Sequence, residues 1–146
     1  MQSKTRRVVW GEKGEETRIN RLGMYGAFFS MPKASSDTGY RRWFHASGRR
    51  GIMLRPDKQH DKTTVFMYVI KFEDKRLSQV AERSAPGEGI REQKALMAEY
   101  FGDLGWECPR IIREMEKTDD FYYDLVGQVK MDHWHKGRVV LVGDAG

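Results

Sequence analysis

The segment with the clearest capacity for chemistry is Gly143-Asp144, which directly follows the apolar run Val139 to Val142. A continuous apolar run of this kind is typical of a strand buried on both faces, as in parallel sheets. Open α/β sheets bind ligands where such strands end, and the next helix offers its N-terminus to a phosphate. The sequence therefore predicts half of a ligand site at Gly143 and Asp144, with the helix expected beyond Gly146.

Other reactive side chains have simpler interpretations. His133 and His135 share a strand face at i and i+2, but the spacing specifies no third ligand, so a solvated turn is favoured over a metal site. Cys108 lies at a predicted helix start, where a thiol pKa can be lowered, yet a packing cysteine is favoured. His45 and His60 are isolated and are interpreted as surface residues or as residues behind a site.

Composition limits the class of protein. The chain has 146 residues, of which 39% are hydrophobic and 12% aromatic, enough for one domain with a core. No apolar stretch approaches the roughly 18 residues of a membrane-spanning helix, and the N-terminus lacks the apolar region of a signal peptide. The single cysteine excludes an intrachain disulfide and favours a reducing, cytoplasmic setting.

The positive charge permits nucleic-acid binding without favouring it. The formal net charge is +5, but Arg6-Arg7, Arg41-Arg42 and Arg49-Arg50 are scattered pairs and form no dense tract. Aromatic and basic residues alternate from Tyr40 to His45, which a strand with two different faces explains better than an RNA-stacking surface. We expect no nucleic-acid partner, and a basic nucleic-acid-binding module is the least favoured alternative.

The elements that must position these residues follow from periodicity. The pattern indicates antiparallel strands, two amphipathic helices, one more strand and the terminal apolar strand. The predicted strands span 22–31, 40–46, 52–55, 63–72, 121–131 and 139–142, and the predicted helices span 88–102 and 109–117. Because residues 63–72 are apolar on both faces, that strand is predicted to be central and covered twice. The expected fold class is α+β, a mostly antiparallel sheet covered by two helices, with a last strand that belongs to a different sheet.

A family resemblance rests on the C-terminal third. Asp120-Phe121-Tyr122, Gln128, Met131, Trp134 and the stretch GRVVLVGDA at 137–145 resemble the FAD-dependent aromatic hydroxylases, the para-hydroxybenzoate hydroxylase-like group of flavoprotein monooxygenases. In that family the strand ending in Gly-Asp belongs to a Rossmann-like FAD-binding domain, and its aspartate hydrogen-bonds the ribityl chain. The resemblance implies that Gly143 and Asp144 bind FAD. The family usually continues with Ala-His-Pro, and here Gly146 follows Ala145.

The first residues resemble the end of a second family segment, Asp-Gly-x-x-Ser-x-x-Arg, with Ser3 and Arg6 in register. This implies that Ser3 and Arg6 also contact FAD. The chain contains no Gly-x-Gly-x-x-Gly, which a dinucleotide-binding unit needs. The resemblance thus implies a fragment, in which 1–20 are a remnant of the FAD-binding domain and a connection, 21–131 are a substrate-binding sheet domain, and 132–146 are the strand and start of the Gly-Asp motif.

The resemblance also implies an activity for the parent enzyme. It would bind FAD, take NAD(P)H as reductant and use oxygen to hydroxylate a small aromatic or polycyclic substrate. Phe66 and Tyr68, on one face of the central strand, and Gln128 are predicted to form the substrate wall, while packing in the core is the other interpretation of the aromatic pair. No catalytic acid or base is identified. The chain is expected to be inactive without the missing parts of its parent; the alternative is a non-catalytic truncated or split polypeptide that needs a partner.

Overall fold

The computed structural model describes residues 3–57, 59–82 and 89–143. The chain starts with helix α1 (Lys4–Trp10) and a 3₁₀ turn (Glu16–Arg18), and a sheet and helices follow. The strands are β1 (Ile19–Pro32), β2 (Arg42–Ala46), β3 (Arg50–Asp57), β4 (Lys62–Ile70), β5 (Phe121–Val129), β6 (His135–Lys136) and β7 (Val139–Val140), and the further helices are α2 (Lys75–Glu82), α3 (Ile90–Phe101) and α4 (Cys108–Lys117).

Five strands form one antiparallel sheet in the order β2-β3-β4-β1-β5. Strand β4 is central, as predicted. Its β-branched and aromatic residues suit the pleated surface of a sheet. Alternation sends Val65, Met67 and Val69 to one face, where each is fully buried, while Phe66 and Tyr68 point to the other. The predicted α+β class with a mostly antiparallel sheet is confirmed.

The helices α2, α3 and α4 cover one face of this sheet and enclose the core. The prediction of two covering helices was wrong, because α2 also packs there through Leu77 and Val80. Its start is capped by Asp74, whose carboxylate accepts a hydrogen bond from the Arg76 backbone N–H at 3.0 Å. The fully buried core residues from sheet and helices include Ala27, Ile52, Val65, Met67, Val69, Leu77, Met97, Phe101, Cys108, Ile111 and Met115.

The opposite face of the sheet is open among the described residues. Phe66 and Tyr68 on this face are half-buried, and Trp43 and Tyr122 are 50% and 56% exposed. The prediction that β4 is covered on both faces was therefore wrong for the described part of the chain. A strand with apolar residues on both faces need not be covered on both, because neighbouring rings on an open face can shield one another. Periodicity alone does not distinguish these two cases.

The terminal apolar run does not form the predicted strand buried on both faces. Only Val139 and Val140 are in a strand, β7, which pairs with β6 in an antiparallel hairpin. Leu141 is buried, but Val140 and Val142 are 62% and 79% exposed. Among the described residues, β7 has no parallel neighbour, so it is not part of a parallel sheet there.

The N-terminal and C-terminal segments pack against each other. Lys136 Nζ donates to the Val9 carbonyl oxygen at 2.8 Å, and the Lys130 backbone N–H donates to the Arg18 carbonyl at 2.7 Å. The first of these contacts joins α1 to the β6–β7 hairpin. No helix among the described residues is long and apolar enough to cross a membrane.

Candidate functional site

A row of mostly aromatic side chains crosses the open face from one sheet edge to the other. Trp43, Met53, Phe66, Phe28 and Tyr122 are successive cross-strand partners on β2, β3, β4, β1 and β5. Phe28 and Phe66 stack with their ring centroids 4.3 Å apart, which is a favourable aromatic geometry. We call these five residues the aromatic row.

Two glycines beside the aromatic row make room for rings of β4. A Cβ placed on Gly26 would lie 2.5 Å from the Phe66 ring, and one placed on Gly51 would lie 2.5 Å from the ring and hydroxyl of Tyr68. Such separations are far below van der Waals contact, so the rings occupy space that any side chain at these positions would fill. Phe66 therefore leans over β1, and Tyr68 leans over β3.

A second row on the same face carries polar groups. His45, Gly51, Tyr68, Gly26 and Asp124 are successive cross-strand partners. The Tyr68 hydroxyl lies 3.1 Å from His45 Nδ1, and the Tyr122 hydroxyl of the aromatic row donates to Asp124 Oδ2 at 2.7 Å. The open face thus combines a strip of rings with hydrogen-bonding groups on either side of Gly26.

A groove of about 1070 Å³ runs between β5 and the terminal hairpin, at one end of the aromatic row. It brings together two predicted site residues, Gln128 and Gly143, with Phe28 of the aromatic row. Gln128 is exposed and forms no side-chain hydrogen bond within the described part of the chain. The groove is lined by Leu22, Phe28, Tyr122, Asp124, Leu125, Val126, Gly127, Gln128, Val129, Trp134, Leu141 and Gly143.

Gly143 lines this groove and has φ +71°, a left-handed conformation that favours glycine. Among the described residues, no atom lies within 4 Å of the position that its Cβ would take. On the side of the described residues, the Gly143 backbone is therefore open to close approach. Asp144, the other predicted FAD ligand of this motif, lies outside the described residues.

Ser3 and Arg6, the N-terminal residues predicted to contact FAD, are engaged inside the fold. Ser3 caps α1, because its hydroxyl accepts a hydrogen bond from the Arg6 backbone N–H at 3.2 Å. The Arg6 side chain is fully buried, and its Nε donates to Glu15 Oε1 at 2.8 Å. This hydrogen bond is the main cause of the lowered pKa of Glu15. Neither Ser3 nor Arg6 lines the groove that holds Gly143.

The remaining candidate residues are the histidines His133 and His135 and the single cysteine, Cys108. His133 and His135 are exposed, with ring centroids 6.3 Å apart, and no group of three metal-binding side chains occurs among residues 3–57, 59–82 and 89–143. Cys108 is fully buried at the start of α4, and burial raises the pKa of its thiol. The packing interpretation of Cys108 is confirmed.

Several residues of the open face are not predicted from the sequence. Phe28 and Tyr122 are predicted strand residues without a predicted site, and the prediction that His45 is isolated is wrong, because it contacts Tyr68. Strand alternation could have identified Phe28 and Tyr122, because they point to the face opposite the buried Phe29 and Tyr123. The register that brings His45 to Tyr68 leaves no such signal in sequence.

Comparisons with curated proteins match nearly the whole chain. An FAD-dependent monooxygenase, asL6 of Sarocladium schorii, is 39% identical over 149 residues, which cover 99% of this chain and 33% of that protein. A flavin-dependent monooxygenase from an unknown prokaryotic organism is 35% identical over 146 residues, or 98% of this chain and 34% of that protein. No protein-family model matches the chain.

Solved structures show the same relationship. The tetracycline destructase Tet(51) is 31% identical and superposes with a TM-score of 0.68 over 99% of this chain and 36% of its own. Klebsiella pneumoniae HpxO, in complex with FAD and uric acid, shares the fold with a TM-score of 0.63 at 15% identity, over 88% of this chain and 30% of its own.

The relatives carry flavin or FAD in their names, and the match leaves almost no part of this chain uncovered. Over nearly its whole length the chain is thus similar to part of proteins named as FAD-dependent or flavin-dependent monooxygenases, and it spans about a third of the length of these curated relatives.

Proposed function

We propose that this chain forms the substrate-binding sheet of a para-hydroxybenzoate hydroxylase-like FAD monooxygenase, and that the open face receives a planar aromatic or polycyclic substrate. The parent reaction would hydroxylate that substrate with oxygen and NAD(P)H. The tetracycline destructase among the solved structures is an example of a related protein named for a polycyclic substrate.

One observation carries the proposal: the groove of about 1070 Å³ that joins Gly143 to Gln128 and to Phe28 of the aromatic row. A cofactor chain approaching the open backbone of Gly143 would enter the same space as a ring stacked on Phe28. Ligand sites of this kind combine apolar walls with few polar groups that fix orientation.

The residues of this chain would bind and orient the substrate. The aromatic row offers ring faces and edges against which a planar ligand can stack, and it excludes water from the ligand's underside. The Gln128 amide can both donate and accept a hydrogen bond at the groove. FAD would supply the redox and oxygen-activating chemistry, with Gly143 and Asp144 beside it.

Catalysis would also require what the remaining two-thirds of the relatives supply. These 146 residues contain no Gly-x-Gly-x-x-Gly to hold a pyrophosphate, so the chain is expected to bind FAD weakly by itself and to be inactive. In this proposal residues 21–131 are the substrate-binding domain, and residues 1–20 and 132–146 belong with the FAD-binding domain.

Titration of the isotope-labelled chain with 2-methylnaphthalene, followed by NMR, tests substrate binding. Saturable shifts are expected at Phe28, Phe66 and Trp134, and not at Met97 or Ile111 in the core. Phe66→Leu should weaken binding about fivefold, because stacking contributes about 0.5–1.5 kcal/mol beyond area burial. Phe72→Leu is the matched control, since Phe72 is 65% exposed beyond the end of β4.

Two outcomes would contradict the proposal. Saturable shifts on the helices with none on the aromatic row would show that aromatic ligands bind the helix-covered side of the sheet and not the open face. Near-stoichiometric flavin absorbance after mixing the purified chain with FAD would show that the cofactor needs none of the remaining length of the relatives.

A further inference from the structure

His45 and Tyr68 form a hydrogen-bonded pair across a strand that lies between them. His45 is on β2 and Tyr68 on β4, and both pair in register with Gly51 of β3. The Tyr68 hydroxyl reaches over Gly51 to within 3.1 Å of His45 Nδ1. A Cβ on Gly51 would lie 2.5 Å from that hydroxyl, so the contact depends on glycine at this position.

The pair is supported from one side and open on the other. The His45 ring stacks on Trp43 with a centroid distance of 5.8 Å and an interplanar angle of 4°. The Trp43 and Tyr68 rings also lie edge to face, with their centroids 6.5 Å apart. His45 is exposed on the open face, and the helix-side core contains neither member of the pair.

Either arrangement of the shared proton leaves a hydrogen-bond donor for a ligand. If Tyr68 donates to His45 Nδ1, the neutral imidazole carries its proton on Nε2. If His45 Nδ1–H donates to the phenolic oxygen, the Tyr68 hydroxyl proton is free to point elsewhere. A ligand oxygen near this pair therefore meets an N–H or an O–H group.

The ring that carries the donor lies beside the aromatic row. Phe66 and Tyr68 have ring centroids 5.6 Å apart, so a planar ligand that stacks on Phe66 and extends toward β3 approaches the Tyr68 hydroxyl. We propose that His45 and Tyr68 form a polar subsite that selects planar substrates bearing a hydroxyl or oxo oxygen at one end. This inference rests on the proposed function of the open face and adds a specificity determinant to it.

The test compares two ligands of almost the same shape, 2-naphthol and 2-methylnaphthalene, by NMR titration of the full chain. A wholly apolar surface would favour the methyl compound, because the hydroxyl loses hydrogen bonds to water. The subsite predicts that 2-naphthol binds about fivefold more tightly, as one net hydrogen bond allows. The double variant Tyr68→Phe/His45→Phe removes both donors and should abolish this preference, whereas each single variant leaves one donor and should retain part of it.

Tyr40→Phe is the matched control, because it removes a phenolic hydroxyl that is 82% exposed in the loop before β2, and it should leave the preference intact. Equal or stronger binding of 2-methylnaphthalene to the native chain would overturn the polar subsite while leaving the aromatic row as a ligand surface. A preference that survives in the double variant would also overturn it. Absence of saturable binding by both ligands would refute the proposed function and this inference together.

Discussion

The Phe66 ring occupies the space above Gly26 on the neighbouring strand, where a Cβ would come within 2.5 Å of ring atom Cε2. The same ring stacks on Phe28 at a centroid distance of 4.3 Å. Gly26 therefore sets the position of the ring that joins the two halves of the aromatic row. Glycine in a strand interior has an entropic cost, and here the approaching ring covers the exposed backbone.

We expect Gly26→Ala to destabilise the chain by about 1–3 kcal/mol, because the added methyl group forces Phe66 out of its position. Chemical denaturation measures the loss. Gly39→Ala is the matched control: no atom lies within 4 Å of its Cβ position, and its effect should stay within about 0.5 kcal/mol.

A double-mutant cycle identifies the cause. In a Phe66→Ala background the Gly26→Ala cost should shrink, since the clashing ring is gone. An undiminished cost in that background would mean that the backbone of Gly26, and not the ring above it, requires glycine.

The alternation of β1 and β4 made much of the sheet predictable from sequence. Residues such as Ala27 and Met67 are buried at every second position, so strand positions and the helix-side face follow from a period of two. The helices α3 and α4 were equally accessible. By contrast, α2 was not predicted, because within it only Leu77 and Val80 are buried, and two residues do not define a helical period.

The site itself was only partly predictable. The shared face of Phe66 and Tyr68 follows from alternation along β4, but the His45–Tyr68 contact depends on the pairing of three strands separated by loops. The run ending at Val142 has the composition of a buried strand, yet its burial depends on which elements lie beside it. Composition carries no information about those neighbours.

We expect Glu15→Gln to cost about 3–5 kcal/mol, because the fully buried Arg6 would lose its anionic partner and remain charged. The expected consequence is loss of α1 docking as well as a lower midpoint in urea. Glu12→Gln, at an exposed position three residues earlier, controls for the change in net charge. Equal stability of the two variants would show that the Arg6–Glu15 pair contributes nothing to the fold.

Asp37 is expected to make the stability of the chain depend on pH. Its carboxylate accepts hydrogen bonds from Arg110 Nη2 at 2.7 Å, Arg42 Nη2 at 2.6 Å, Thr63 Oγ1 at 3.0 Å and the Ala34 backbone N–H at 2.9 Å. Burial raises its pKa, but these donors, Arg110 foremost, outweigh burial and hold the pKa below its ordinary value of 3.8. A lowered pKa stabilises the fold above the unfolded-state pKa, and this contribution is lost as pH falls.

Asp37→Asn should therefore destabilise the chain by about 3 kcal/mol at neutral pH, and the difference from the native chain should shrink below about pH 5. Urea denaturation at several pH values between neutrality and pH 3 measures this. Asp119→Asn, at an exposed position, removes the same charge without these partners. A difference for Asp37→Asn that stays constant down to pH 3 would mean that the carboxylate has the same pKa in both states.

Cys108 should react with a thiol reagent only when the chain opens. Its side chain is fully buried against the core, and burial raises the pKa of the thiol, so thiolate at neutral pH is scarce as well as shielded. We expect labelling by Ellman's reagent to be at least about a hundredfold slower in buffer than in denaturing urea, and to accelerate in the Gly26→Ala variant, because its open state is more populated. The chain has one cysteine, so the absorbance reports this thiol alone. Rapid labelling in buffer would place α4 away from the sheet and Cys108 outside the core.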